Sequence, residues 1–234
     1  MDVPVGHPNF GRIFPCQCKL RELSERTHAG LERLSNLDAF VDKTFASFDA
    51  GLSGVRDAFL RCLEYSRNPT GWLLLMGNYG CGKTHLAAAI ANEAIGRGLQ
   101  TYFAIAPDLL DHLRAAYAPT SDSSYDDRFE SVRTVPLLVV DDLGTENTTP
   151  WAREKLYQIF NHRYNYRLPT VVTSNVDLDT IEPRIRSRLS DQQLCHYIFI
   201  AADDFRQRGA PGRRSGPPAP GAPRPAPGRR PLRG

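Results

Sequence analysis

No stretch of this 234-residue chain approaches the ~18 to 20 consecutive apolar residues that a membrane-spanning helix requires. Met1-Asp2-Val3-Pro4 lacks the charged start and apolar run of a secretion signal. Cysteine is sparse: five residues, an odd number without regular spacing, which argues against a disulfide framework and for a reducing compartment, the cytoplasm. Acid is missing from Gly209 onward, where Arg213, Arg214, Arg224, Arg229, Arg230 and Arg233 stand among eight prolines. That segment cannot build a core and is expected to be disordered. Its arginines offer DNA phosphates a salt-sensitive contact, and an idle extension explains them as well. Removing those six arginines from the formal +3 leaves −3 for everything before them. The folded part therefore has no general positive field for capturing nucleic acid. What remains, at 41% hydrophobic, suffices for the core of one α/β domain.

Against those absences one stretch stands out. Leu73-Leu74-Leu75-Met76 runs into Gly77-Asn78-Tyr79-Gly80-Cys81-Gly82-Lys83-Thr84-His85, and the helix former Leu86-Ala87-Ala88-Ala89-Ile90-Ala91 follows. A strand, a loop of pattern G-x-x-x-x-G-K-T and a helix are the context of a phosphate-binding loop. Glycines let backbone N–H groups turn inward on phosphate oxygens, and the helix N-terminus adds partial positive charge. Lys83 is expected to reach the β- and γ-phosphates, and the Thr84 hydroxyl to ligate Mg²⁺. A plain turn has no use for Gly-Lys-Thr at a helix start. The loop residues Gly77, Asn78, Tyr79, Gly80, Cys81, Gly82, Lys83, Thr84 and His85 are therefore expected to hold a nucleoside triphosphate.

The other elements follow by pattern. Val55 to Tyr65 has helical spacing, Tyr102 to Ala106 predicts a strand, Asp108 to Tyr117 an amphipathic helix, and a shorter helix ends near Arg133. Pro136-Leu137-Leu138-Val139-Val140-Asp141-Asp142-Leu143-Gly144 is an apolar run ending in two carboxylates. It predicts a buried strand with acids at its carboxyl end, where ligands bind in open α/β sheets. Asp141 is expected to hold Mg²⁺ through water, and Asp142 to orient or deprotonate the attacking water. Pro150 to Tyr166 predicts a helix, Pro169 to Asn175 a strand with a polar exit, and Cys195 to Ile200 a fifth strand. Asn175 at its strand tip either holds the lytic water or senses the γ-phosphate, or it only makes the turn. Arg184 and Arg188, four apart, share a helix face; such a face is solvated, or it reaches a γ-phosphate on a neighbouring subunit. Phe40, Phe45 and Phe48 either pack under the domain edge or help form a base pocket. Cys16 and Cys18, with His7 nearby, fall short of the four ligands of tetrahedral zinc and read as free thiols.

Four segments together, Gly77–Leu86, Leu138–Glu146, Thr173-Ser174-Asn175 and Arg184–Leu189, resemble the AAA+ ATPases of the DnaC type, which load replicative helicases. They resemble equally the IstB-type helper ATPases of transposition. The likeness spans roughly residues 36–206. It implies a P-loop α/β fold whose five-stranded parallel sheet is ordered 5-1-4-3-2 between helices, with little or no helical lid. It implies ATP hydrolysis with Mg²⁺, in which Asn175 takes the sensor-1 role and Arg188 that of a trans-acting arginine finger. Arg184 would assist that finger, and Arg206 would serve as a sensor-2 arginine. The partners it implies are a replicative ring helicase, single-stranded DNA and further copies of the chain, joined through the finger. Many AAA+ proteins carry glutamate where Asp142 stands; the shorter side chain sets the base back from the water, so slow hydrolysis is expected. His7 to Cys18 looks like the second half of a small zinc module, and without the upstream cysteine pair zinc binding is not expected.

The chain thus divides into an N-terminal segment, 1–35, an ATPase domain, 36–208, and a tail, 209–234. A helicase loader is the leading reading and a transposition helper the alternative. Asp141-x-x-Gly144 also satisfies a GTPase pattern, but no Asn-Lys-x-Asp follows to read guanine. A small-metabolite kinase needs a substrate pocket and a mobile lid, for which the sequence offers no candidate.

Overall fold

The structure, a computed structural model, describes Cys16 and residues 35–115, 125–146 and 149–205. The helix expected from Lys19 to Leu34, Cys18, Arg206 and the arginine-rich tail lie outside the described residues. Cys16, read as a free thiol, is instead disulfide-bonded, so its sulfur is not the thiolate a zinc site requires. Cys62, Cys81 and Cys195 are free and buried.

The apolar runs become strands buried along nearly their whole length: β1 (Trp72–Gly77), β2 (Thr101–Ile105), β3 (Leu137–Asp141) and β4 (Thr170–Ser174). With β5 (Cys195–Ile200), which pairs with β1, they form one parallel sheet in the order β2-β3-β4-β1-β5, which is the 5-1-4-3-2 order the resemblance implied. Among the described residues six α-helices accompany them: α1 (Arg56–Arg67), α2 (Lys83–Gly96), α3 (Ala106–Ala115), α4 (Tyr125–Thr134), α5 (Pro150–Asn165) and α6 (Pro183–Leu189). Pro107 does not precede α3 but sits in its first turn, where its missing N–H leaves no bond unmade. The Thr149 side chain caps α5 and that of Glu182 caps α6, each with proline at the first helical position.

Alternation along the central strand sorts the helices into two layers. Trp72, Leu74 and Met76 of β1 point into a core with α3, α4, α5 and α6. Leu73 and Leu75 point the other way, into a core with α1 and α2. A side chain such as Leu74 or Leu75, with no exposed surface, contributes about 1.5–3 kcal/mol by leaving water. Because β1 contributes to both layers, a one-residue shift in its register would swap the side chains that it gives to each.

The end of the sheet opposite the strand tips is tied by an arginine. Arg163, fully buried on α5, donates to Thr170 Oγ1, Arg133 O, Val135 O and Pro169 O at 2.5–3.1 Å. Burial lowers its pKa to about 9, and it remains charged at neutral pH. No helix among the described residues is long and apolar enough to cross a membrane.

Candidate functional site

β4 lies between β1 and β3, and since all run in parallel their carboxyl ends emerge side by side. The loop leaving β1 turns through two glycines with positive φ, Gly80 at 69° and Gly82 at 101°. A Cβ on Gly80 would lie 1.6 Å from the Asp204 carboxylate, and one on Gly82 would lie 2.9 Å from the Phe48 ring. Glycine is required at both, for backbone and for space. Lys83 is 7% exposed, and its Nζ donates to Gly77 O at 2.9 Å and Asn78 O at 2.8 Å. Those two carbonyls hold the ammonium over the loop, where it can meet phosphate oxygens.

The β3 tip completes the polar floor. Asp141, 4% exposed, accepts from Thr84 Oγ1 at 3.1 and 3.0 Å and from Thr173 Oγ1 at 2.6 Å. Burial pushes its carboxyl above the usual carboxylate range, against the pull of the Thr173 and Thr84 hydrogen bonds and of the Lys83 charge. The Thr173 hydroxyl also accepts from Asp142 N at 2.9 Å, so one β4 side chain fixes both acids. Asp142 has a φ of 61°, a left-handed conformation that aspartate tolerates better than most residues. In that conformation its carboxylate receives Asn175 Nδ2 at 3.0 Å. The other atom of that amide, Asn175 Oδ1, is buried with no hydrogen-bond partner.

The donor set suits a hard divalent cation. Thr84 and Asp141 offer a hydroxyl and a carboxylate, the oxygen ligands Mg²⁺ takes. Among the described residues no group of three or more His, Cys, Asp or Glu could hold a metal.

Residues 79–85, Asp141, Asp142 and Asn175 line one cavity of about 730 Å³, within the size range of small-ligand sites; Gly77, Asn78 and Thr173 stand behind its wall and hold Lys83 and the two acids. Apolar side chains line it too: Phe40, Phe48, Leu52, Val55 and Ile105. The alternative left open for the phenylalanines divides between them. Phe45 packs edge-on against Phe59 at 5.7 Å, under the domain edge, while Phe40 and Phe48 face the cavity. Asp203 and Phe205 reach it from beyond β5, and Phe205 N donates to Gly80 O at 3.1 Å. Sequence reasoning missed this contact, which no local pattern signals.

The arginines of α6 do not line that cavity. Arg184 is exposed, paired with Glu154 at 3.3 Å and Glu182 at 2.6 Å, with its guanidinium 3.7 Å from the Tyr157 ring centroid. Arg188 is half-buried against α5: it donates to Arg184 O at 2.6 Å and to Asn161 Oδ1, and lies 4.9 and 5.4 Å from the Tyr157 and Tyr164 rings.

Comparison with known proteins agrees with this geometry. Residues 19–200 match the family model described as IstB-like ATP binding protein. The chain belongs to that family. Among IstB-like relatives, the replicative helicase loader DnaI of Bacillus subtilis is 32% identical over 121 residues, 50% of this chain and 38% of DnaI. The ATP-binding protein assigned to insertion sequence IS5376 of Geobacillus stearothermophilus is 35% identical over 103 residues, 44% of this chain and 39% of that protein. The chain thus spans less than half the length of either relative. The crystal structure of the DnaC helicase loader superposes with a TM-score of 0.59 at 23% identity, over 68% of this chain and 97% of that one. The fold is the P-loop AAA+ core of this IstB/DnaC branch.

Proposed function

We propose that this protein is a Mg²⁺-dependent ATPase that acts as a helicase loader in DNA replication. One observation carries the chemistry: Lys83, Thr84, Asp141, Asp142 and Asn175, drawn from three neighbouring strand tips, line a single cavity. Lys83 and the loop N–H groups bind the phosphates, while Thr84 and Asp141 would hold Mg²⁺, which would neutralise charge developing on the phosphates. Asp142 accepts the proton of the attacking water, and Asn175 fixes the Asp142 carboxylate while its free Oδ1 orients that water. Hydrolysis is slow, because the short Asp142 side chain holds the base back. Arg206 acts as the sensor-2 arginine.

The loader role is supported by the likeness to DnaI and by the shared fold with DnaC. In this reading the chain assembles with further copies of itself, holds single-stranded DNA and a ring helicase while ATP is bound, and releases them after hydrolysis. ATP switches the assembly only if its partners bind the two nucleotide states unequally. Co-purification with the host's replicative helicase, with and without ATP, tests it: capture that depends on ATP is the expected result. The match to the IS5376 protein favours a second reading, a transposition helper that recruits a transposase to duplex DNA. ATP-dependent capture of a transposase in place of the helicase would establish that one.

A further inference from the structure

The strap from Ser35 to Leu52 lines the cavity beside the phosphate loop and is fastened by side chains. At its start Asn36 Nδ2 donates to Asp108 Oδ2 at 2.9 Å, and Asn36 Oδ1 accepts from Ile105 N at 3.1 Å. Further on, Asn92 Nδ2 donates to Phe40 O at 3.0 Å and to Lys43 O at 2.9 Å. His85 Nε2 lies 3.0 Å from Thr44 O and 3.3 Å from Ser47 Oγ. A carbonyl only accepts, so Nε2 carries the proton. The His85 ring stands at 84° to that of Phe48, with centroids 5.1 Å apart. Phe48 in turn lies against Gly82 and is stacked on Phe59 at 5.7 Å.

Asn92 and His85 are seven residues apart on α2, two helical turns, so they occupy one face. That helix opens with Lys83 and Thr84. A single rigid element therefore carries the phosphate-binding groups at its tip and fastens, along its side, the strap that brings Phe40 and Phe48 to the cavity. We propose that Asn92 and His85 are positioning residues. They clasp the strap to α2 so that Phe40 and Phe48 form the wall on which the base of a bound nucleotide rests. This rests on reading the cavity as a nucleotide site, and it makes His85 a fastener of the strap rather than a ligand of the phosphates.

The two halves of the ligand separate the clasp from general stability. In this reading the phosphates meet the loop N–H groups and Lys83, whose ammonium is held by Gly77 O and Asn78 O rather than by the strap, while the nucleoside rests on the strap. The experiment is equilibrium binding of Mg²⁺-ATP and of Mg²⁺-tripolyphosphate, the bare phosphate chain, to the full protein and its variants. Asn92→Ala and His85→Ala are expected to weaken ATP binding about 5- to 10-fold, the scale of one or two lost hydrogen bonds. Tripolyphosphate binding should stay within about twofold of the parent, a scale below one lost hydrogen bond. Asn92→Asp, acceptor-only and facing two carbonyls, should lose the most. His85→Gln, whose amide restores a donor near Nε2, should recover ATP binding. Equal loss for both ligands, no loss for ATP, or failure of His85→Gln to rescue would each overturn the clasp. If the unaltered chain binds neither ligand, the nucleotide reading falls and the clasp with it; if it binds both, only the clasp is in question.

Discussion

Asn175 holds Asp142: the amide of one donates to the carboxylate of the other at 3.0 Å, across two adjacent strand tips. A carboxylate serving as a general base gains from a donor that fixes its orientation without neutralising it. Asn175→Ala should leave ATP affinity within about twofold and lower the hydrolysis rate by about 10²-fold, a typical general-base contribution. Asn175→Asp should do worse, since it sets two carboxylates face to face. Asp142→Asn, which cannot accept the proton, should bind ATP and hydrolyse it at least as slowly as Asn175→Ala. Single-turnover hydrolysis alongside equilibrium binding separates these effects; equal loss of affinity would assign the pair to binding rather than to chemistry.

Arg188 rests on its own subunit, on a seat of Tyr157, Asn161 and Tyr164, while its Nε is buried without a partner. A finger acting on a neighbour would give up cation–π contacts worth about 0.5–2 kcal/mol for a triphosphate charge. Mixing experiments test the action in trans. Arg188→Ala should bind ATP normally and hydrolyse it about 10³-fold more slowly, the scale of arginine-finger losses. Asp142→Asn should be equally inactive alone but keeps its arginine. A mixture of the two should recover hydrolysis at the intact sites of the Arg188→Ala copies. No recovery would remove the finger from the mechanism. Arg184→Ala, which loses mainly exposed ion pairs, should have the smaller effect.

Some of the candidate site is legible in local spacing. Gly77 to Thr84 reads as a phosphate loop because the turn, the lysine and the helix start are contiguous. Asp141 and Asp142 stand out because an apolar strand has no structural need of two carboxylates. Thr173 was different: in Thr170-Val171-Val172-Thr173 a threonine looks like ordinary strand propensity. Only the adjacency of β4 to β3 shows its hydroxyl serving Asp141 and the Asp142 amide together. The seat of Arg188 and the contact of Phe205 with Gly80 were hidden for the same reason, since each joins segments far apart in the chain. The arginine-dense helix announced its charge but not which residues it would lean on.

Burial, the main cause in each case, holds His85 and His162 below the ordinary histidine pKa of 6.5. Their folded forms refuse a proton that the unfolded chain accepts once the pH drops below that value. Stability is therefore full above pH ~6.5 and declines as pH falls through the depressed folded values. Thermal melts at pH 7.5 and 5.5 should show a lower Tm at the acid end. The double variant His85→Gln, His162→Gln should reduce that difference. An unchanged difference would mean that other groups carry the acid limb.

Arg163 offers the sharpest stability test, because it is a buried cation whose hydrogen bonds all go to uncharged oxygens. It ties α5 to the start of β4 and to the segment that leads into β3. From the sequence it is one more basic residue in the last turn of a helix, where exposed cations favour the helix dipole. Buried, it supplies the donors for three main-chain carbonyls and the Thr170 hydroxyl. Arg163→Ala leaves those acceptors facing a cavity, a loss of about 3–5 kcal/mol. Arg163→Lys keeps the charge but has three donors on a single nitrogen, which cannot span the same spread of oxygens, and it should recover less than half of that. Urea unfolding at pH 7 checks both. The prediction fails if Arg163→Lys matches the parent, for then charge alone would suffice and the fork of the guanidinium would be irrelevant. Because Arg163 lies at the opposite end of β4 from Ser174, ATP affinity of the folded fraction should be unchanged in either variant.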